Sequence, residues 1–306
     1  MLRQLEMQKN LDMYPDDTIY IDISHLQLSD FPDLSRFKSL IQLDCSHNKF
    51  SFIPPLNDSL ESLNCSYNLL ENLPPLSNSL KVLICNNNLL KVLPSLNSSL
   101  THLECQNNEL FMLPPLNKLL EYLDCHSNEL KMLPSLNESL QELYCHYNKL
   151  TFLPNLNKKL RILYCCYNHL TLLPPLNIFL LELNCISNQL ISLPPLNNSL
   201  INLYCSYNNL NYLPSLKNVR HFTCKNNPIS EIINRDYIGF VNEQNNIFNK
   251  FRILFYTLKF KNKLLRWKLI SSHERIKEQF HSKHLDELKN NENLDLDTFL
   301  ETLGWD

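Results

Sequence analysis

A single period of twenty residues governs most of this chain and limits its fold more than any other feature. The block Leu43-x-Cys45-x-x-Asn48-x-Phe50-x-x-Ile53-Pro54 returns at the same spacing around Cys65, Cys85, Cys105, Cys125, Cys145, Cys165, Cys185 and Cys205. A segment this short cannot enclose a core of its own, so each copy must bury its apolar face against the copies on either side. Both edges of the array are degenerate, as terminal repeats usually are. Ile21, Ile23, Leu26, Leu28, Phe31 and Pro32 form a first copy with Leu in place of Asn, and Phe222, Cys224, Asn227 and Ile229 form a last copy one residue out of register. The period thus predicts eleven coils, nine regular and two edge copies. It divides the chain into a leader or N-terminal cap over 1–18, a repeat stack over 19–232 and a helical C-terminal cap or tail over 233–306.

Each position within the repeat has a physical reading. Leu63 and Cys65 alternate as a short strand with both side chains inward, and parallel copies would stack about 4.8 Å apart. The connection is right-handed, giving one long parallel sheet. Cysteine in such a column behaves as a small buried hydrophobe. Asn48, Asn68, Asn88, Asn108, Asn128, Asn148, Asn168, Asn188, Asn208 and Asn227 follow the strand, where the chain bends inward and leaves backbone groups without ladder partners. An amide offers both donors and an acceptor, so a stacked column of them predicts a structural role in satisfying those groups. On the return side, Pro54, Pro74, Pro94, Pro114, Pro134, Pro154, Pro174, Pro194 and Pro214 oppose helix and favour turn or polyproline geometry.

The pattern L-x-x-L-x-L-x-x-N-x-L is met by Leu60, Leu63, Cys65, Asn68 and Leu70 and in every block to Leu200, Leu203, Cys205, Asn208 and Leu210. It resembles the leucine-rich repeat, over about two thirds of the chain. The continuation Leu73-Pro74-Pro75-Leu76 is similar to the short, proline-bearing repeats of some secreted bacterial effectors. The fold class expected is α/β: a right-handed leucine-rich-repeat solenoid with a parallel concave sheet, a nearly helix-free convex side and a short helical C-terminal segment.

Composition removes several functions. Two glycines, Gly239 and Gly304, leave no Gly-rich phosphate loop, and no cofactor is expected. A net charge of -3 argues against general nucleic-acid affinity. Of the eleven cysteines, ten fall one per repeat and only Cys166 lies outside the register. They read as reduced core residues, and no disulfide-linked partner is expected. Met1 to Thr18 carries no apolar stretch of the kind a secretory signal needs, which together with the thiols predicts a cytoplasmic protein. Sequons at Asn57, Asn97, Asn137 and Asn197 recur because the repeat recurs, and without secretion they carry no glycosylation signal.

Strand residues between the inward columns form parallel rows on the concave face. Tyrosine gathers in these rows toward the C-terminal half, at Tyr122, Tyr144, Tyr147, Tyr164, Tyr167, Tyr204 and Tyr207. Exposed aromatics amid polar residues are typical of protein-binding hot spots, so these seven are the candidate partner-binding residues. The plainer reading is that tyrosine simply suits strands. Tyr144 and Tyr164 are expected to point to solvent. The row His126, His146 and Cys166 offers three potential metal ligands, but a straight ladder is a poor tetrahedron, so no metal is assigned. Cys166 is expected to face outward and to be the first thiol to react.

After Pro228 the period ends. Residues 250–268 carry Lys250, Arg252, Lys259, Lys261, Lys263, Arg266 and Lys268 with no acid among them. They read as a cap over the last coil in preference to a membrane-surface or partner helix. The tail pairs Phe280-His281-x-x-His284-Leu285 with Leu294-Asp295-Leu296-Asp297-x-Phe299-Leu300 and resembles leucine-rich-repeat proteins encoded by giant DNA viruses of amoebae. That resemblance implies a protein without catalytic residues. The function expected is a non-enzymatic scaffold that binds a protein partner. The alternatives are a virion component or adaptor, or a ubiquitin-ligase-like effector, which would need a nucleophilic cysteine where none occurs after Cys224.

Overall fold

The computed structural model describes residues 11–233. All but the first residue of the expected tail over 233–306, with its basic stretch over 250–268, and residues 1–10 of the N-terminal segment lie outside them. Eleven three-residue strands form one parallel sheet in sequence order. They are β1 (Tyr20–Asp22), β2 (Gln42–Asp44), β3 (Ser62–Asn64), β4 (Val82–Ile84), β5 (His102–Glu104), β6 (Tyr122–Asp124), β7 (Glu142–Tyr144), β8 (Ile162–Tyr164), β9 (Glu182–Asn184), β10 (Asn202–Tyr204) and β11 (His221–Thr223). Leu143 pairs with Leu123 on one side and Leu163 on the other, so the repeat period is also the sheet register. The last pairing sets Leu203 against Phe222, nineteen residues on, which absorbs the slip in the final copy.

The core is a set of columns running along the stack. Leu123, Cys125, Leu120 and Leu130 are completely buried, as are their counterparts in neighbouring coils. Burial raises the thiols of the cysteine column, Cys65 to about 12. Between strands the described residues form only turns and bends, as the prolines demand, and the single helix after the sheet is α1 (Pro228–Ile233). No helix among the described residues is long and apolar enough to cross a membrane. At the other end, Arg36 Nη2 donates to the carbonyls of Leu11 and Tyr14 at 2.6 and 2.7 Å, and its guanidinium lies 4.3 Å over the Phe37 ring.

Two ladders of side-chain amides fasten coil to coil. At the end of each strand, Asn128 is representative: Nδ2 donates to Cys105 O at 3.0 Å in the preceding coil and to Cys125 O and His126 O at 3.2 Å in its own. Its Oδ1 accepts from Leu110 N at 2.9 Å. The same bridge to the preceding coil is made by every member of the column from Asn48 to Asn227. A second ladder lies on the return side, where Asn117 Nδ2 donates to Asn97 O at 2.7 Å and Leu100 O at 2.8 Å. Asn57, Asn97, Asn137, Asn157, Asn177 and Asn197 bond back to the preceding coil in the same way. Four of these are the sequon asparagines, so the nitrogen that a glycan would take is already engaged with backbone.

Candidate functional site on the concave face

Immediately after each strand the chain enters the left-handed region. His47, Tyr67, Asn87, Asn107, Ser127, Tyr147, Tyr167, Ser187, Tyr207 and Asn226 all have φ between 51° and 58°. Such a conformation costs a non-glycine residue about 1–2 kcal/mol. From His47 to Tyr207 it is held because the amide of each donates to a carbonyl of the following coil, as Tyr147 N does to Cys166 O at 3.0 Å. Adjacent copies of one backbone conformation present their side chains in parallel, and the rings stack. Tyr147 and Tyr167 lie 4.3 Å apart with planes 6° from parallel. At the N-terminal end the same row stacks His25 on His47 at 4.0 Å and His47 on Tyr67 at 4.2 Å.

The strand rows add to this. His102 stacks on Tyr122 at 4.2 Å, Tyr122 meets Tyr144 at 5.6 Å, and Tyr144 meets Tyr164 edge-on at 5.1 Å. His126 stacks on His146 at 4.2 Å, and His146 touches the edges of Tyr147 and Tyr164 at 5.7 and 6.3 Å. Tyr122, Tyr144, Tyr147, Tyr164 and Tyr167 therefore belong to one connected ring surface across the coils of β5 to β8, with three histidines as its joints. Tyr204 and Tyr207 stand apart, separated from it by the coil that carries Asn184 and Ser187.

Carboxylates are set among the rings. Tyr144 Oη donates to Glu142 at 2.9 Å, and Tyr164 Oη donates to Glu182, which also accepts from Asn202 Nδ2 at 2.9 Å. Burial, then the bond to glutamate, raises both phenols far above the ordinary tyrosine value. Tyr122 is raised to about 12, chiefly by burial. His102 contacts Glu104 at 2.9 Å and His126 contacts Asp124 at 2.6 Å. Burial, reinforced by His126, lowers His146 to about 4, so its ring is neutral at pH 7.

No family model and no curated protein matches this chain. Solved structures do. The leucine-rich effector protein YopM from Yersinia pestis is 32% identical at a TM-score of 0.62, over 70% of this chain and 68% of that one. The chain belongs to the leucine-rich-repeat proteins. YopM from Yersinia enterocolitica is 30% identical at a TM-score of 0.55, and the match covers 69% of this chain and 49% of that one. This chain thus spans about half the length of that relative. The Toll–Spätzle complex from Drosophila, at 21% identity and a TM-score of 0.54, shares the fold alone.

Within the leucine-rich-repeat frame, three residues differ from their expected exposure. Cys166 does not face out: it is only 6% exposed, and burial raises its thiol to about 11. Its thiol is therefore neutral at pH 7 and shielded from solvent. Cys224, at the end of the stack, is the less buried thiol. Tyr144 and Tyr164 do not point freely to solvent either, since their rings pack on neighbours and their hydroxyls are engaged. The exposed pair is Tyr147 and Tyr167, 51% and 45% accessible. Histidines as ring partners escaped the sequence reading, although His102 is in register with Tyr122 and His126 with His146. The return-side ladder escaped it too, while its signal, Pro-x-Leu-Asn in seven of the nine regular coils, was in plain view, four of the seven asparagines being sequons.

Proposed function

We propose that this leucine-rich-repeat chain is a non-enzymatic scaffold whose concave face binds a protein partner. The observation that carries the reading is the connected ring surface across the coils of β5 to β8, built on a backbone that stacking and amide ladders hold in place. Rings ordered in advance lose little conformational freedom on binding, which favours affinity. The partner surface centres on Tyr144, Tyr147, Tyr164 and Tyr167. Tyr122 lies at one margin and Tyr204 and Tyr207 beyond the other. Tyr147 and Tyr167 supply the accessible ring area, while Tyr144 and Tyr164 support them. The phenols of Tyr144 and Tyr164 are raised instead of activated, and so is the Cys166 thiol in the row of His126 and His146. The tail resemblance favours a viral product that meets host or viral proteins in the host cytoplasm. The partner is protein and not nucleic acid, because the concave rows of these coils contain no Lys or Arg.

The test compares the wild-type chain with a Tyr147→Ala/Tyr167→Ala variant as baits in amoebal cytoplasmic extract, read by quantitative mass spectrometry. A true partner should weaken by about 2 kcal/mol or more if the pair is a hot spot. Unchanged far-ultraviolet circular dichroism would show that the stack survives. An identical partner set at equal strength would move the binding site off the concave face.

A further inference from the structure

The row of left-handed residues is a ladder with one rung missing. Tyr147 and Tyr167 are stacked, Ser187 follows, and Tyr207 stands on the next coil, all at φ between 51° and 58°. Successive rings in this row sit 4.0–4.3 Å apart where both are present, so Tyr167 and Tyr207, two coils apart on the same backbone conformation, are set about two strand spacings, about 9–10 Å, from each other. A planar group needs about 3.5–4 Å of clearance on each face. The space over Ser187 therefore has the thickness of one flat side chain, with a tyrosine on either side and a small residue beneath. Tyr207 is 55% exposed and Tyr167 45%, so the slot opens to solvent.

Charge selects among flat groups. In the coils of β5 to β9 the concave rows hold Glu104, Asp124, Glu142 and Glu182 and no Lys or Arg, and the first cation in these rows is Lys225, in the coil just past Tyr207. The carboxylates are held by tyrosine hydroxyls, amides and histidines, none of which is a permanent cation. The guanidinium of arginine is planar and always charged, and it stacks on aromatic faces as the ammonium of lysine does not.

We propose that the gap over Ser187, between Tyr167 and Tyr207, is a slot for an arginine side chain of the partner protein. The proposal rests on the concave face being the binding surface and names the chemistry it selects. It also gives Tyr207, which lies outside the connected ring surface, a role as the far wall of a specific site.

Filling the rung tests it directly. Ser187→Tyr places in the slot a residue that the same backbone position already carries at Tyr67, Tyr147, Tyr167 and Tyr207, so folding should be retained. Ser127→Tyr, at the opposite end of the Tyr147–Tyr167 stack, adds a ring while leaving the slot open. The probe is an acetyl-Gly-Arg-Gly-amide peptide titrated into the full chain, with ring resonances of labelled tyrosines followed by nuclear magnetic resonance. The expected result is saturable shifts at Tyr167 and Tyr207, about tenfold weaker binding in Ser187→Tyr, and unchanged binding in Ser127→Tyr. Equal binding of the Gly-Lys-Gly peptide would reduce the effect to general electrostatics, and stronger binding of Gly-Tyr-Gly would make the slot a neutral aromatic site. Either result overturns the proposal, as does a Ser187→Tyr variant that binds arginine normally. If the natural partner is lost in Tyr147→Ala/Tyr167→Ala but kept in Ser187→Tyr, the concave binding surface stands and the arginine slot falls.

Discussion

Along the row through Tyr147, ten coils carry His47, Tyr67, Asn87, Asn107, Ser127, Tyr147, Tyr167, Ser187, Tyr207 and Asn226, while in the next row, through Asn148, all ten carry asparagine. The two columns are one residue apart, run the same length and are both stacked at the coil spacing. They differ in what the backbone asks of the side chain. In the Asn148 row the side chain itself closes the structure, donating to three carbonyls and accepting one amide, and no other residue has that set of groups at that reach. In the Tyr147 row only the main chain is specified. Its left-handed turn is fixed by coil-to-coil hydrogen bonds, which leaves the side chain free to vary and therefore available for recognition. The return-side ladder falls between the two, since asparagine recurs there but Ser77 replaces it, bonding Leu60 O through its hydroxyl at 2.8 Å.

This ordering predicts a graded response to substitution. Asn128→Ala leaves Leu110 N and three carbonyls without the amide and should lower stability by about 1–3 kcal/mol, read from the urea midpoint at constant slope. A midpoint that does not move would erase the distinction between the columns. Asn137→Ala removes two donated bonds and one accepted from Leu140 N on the less enclosed return side, and should cost about 1 kcal/mol. Asn137→Ser, which copies Ser77, should recover most of that loss. If Asn137→Ala proved the more damaging of the two alanine variants, the concave edge would not be the more demanding seam.

A different effect, visible only with pH, comes from the ring surface. His146 is held near 4 in the folded chain against an ordinary value of 6.5, so its ring takes up a proton on unfolding between those limits. Its contribution is complete above the ordinary value and is lost as pH falls through the interval. His146→Gln, with the side chain that Gln106 carries at the same repeat position, should flatten the pH dependence of the urea midpoint there. A variant as steep as wild type would place the acid sensitivity elsewhere.

The twenty-residue period alone determined the solenoid, the parallel register, the inward leucine and cysteine columns and the helix-free return side. Those follow from a requirement repeated in every coil, so the chain states it many times over. The asparagine column was legible for the same reason. Tertiary structure decided how non-identical side chains meet across coils about twenty residues apart. It turned the Tyr147 row left-handed, which stacked Tyr147 on Tyr167, and it buried Cys166. It also set Tyr144 and Tyr164 edge-on with their hydroxyls on Glu142 and Glu182, leaving them half-buried. Each of these outcomes depends on a residue in a neighbouring coil as much as on the residue itself, and a period describes what coils share, whereas recognition is built from where they differ.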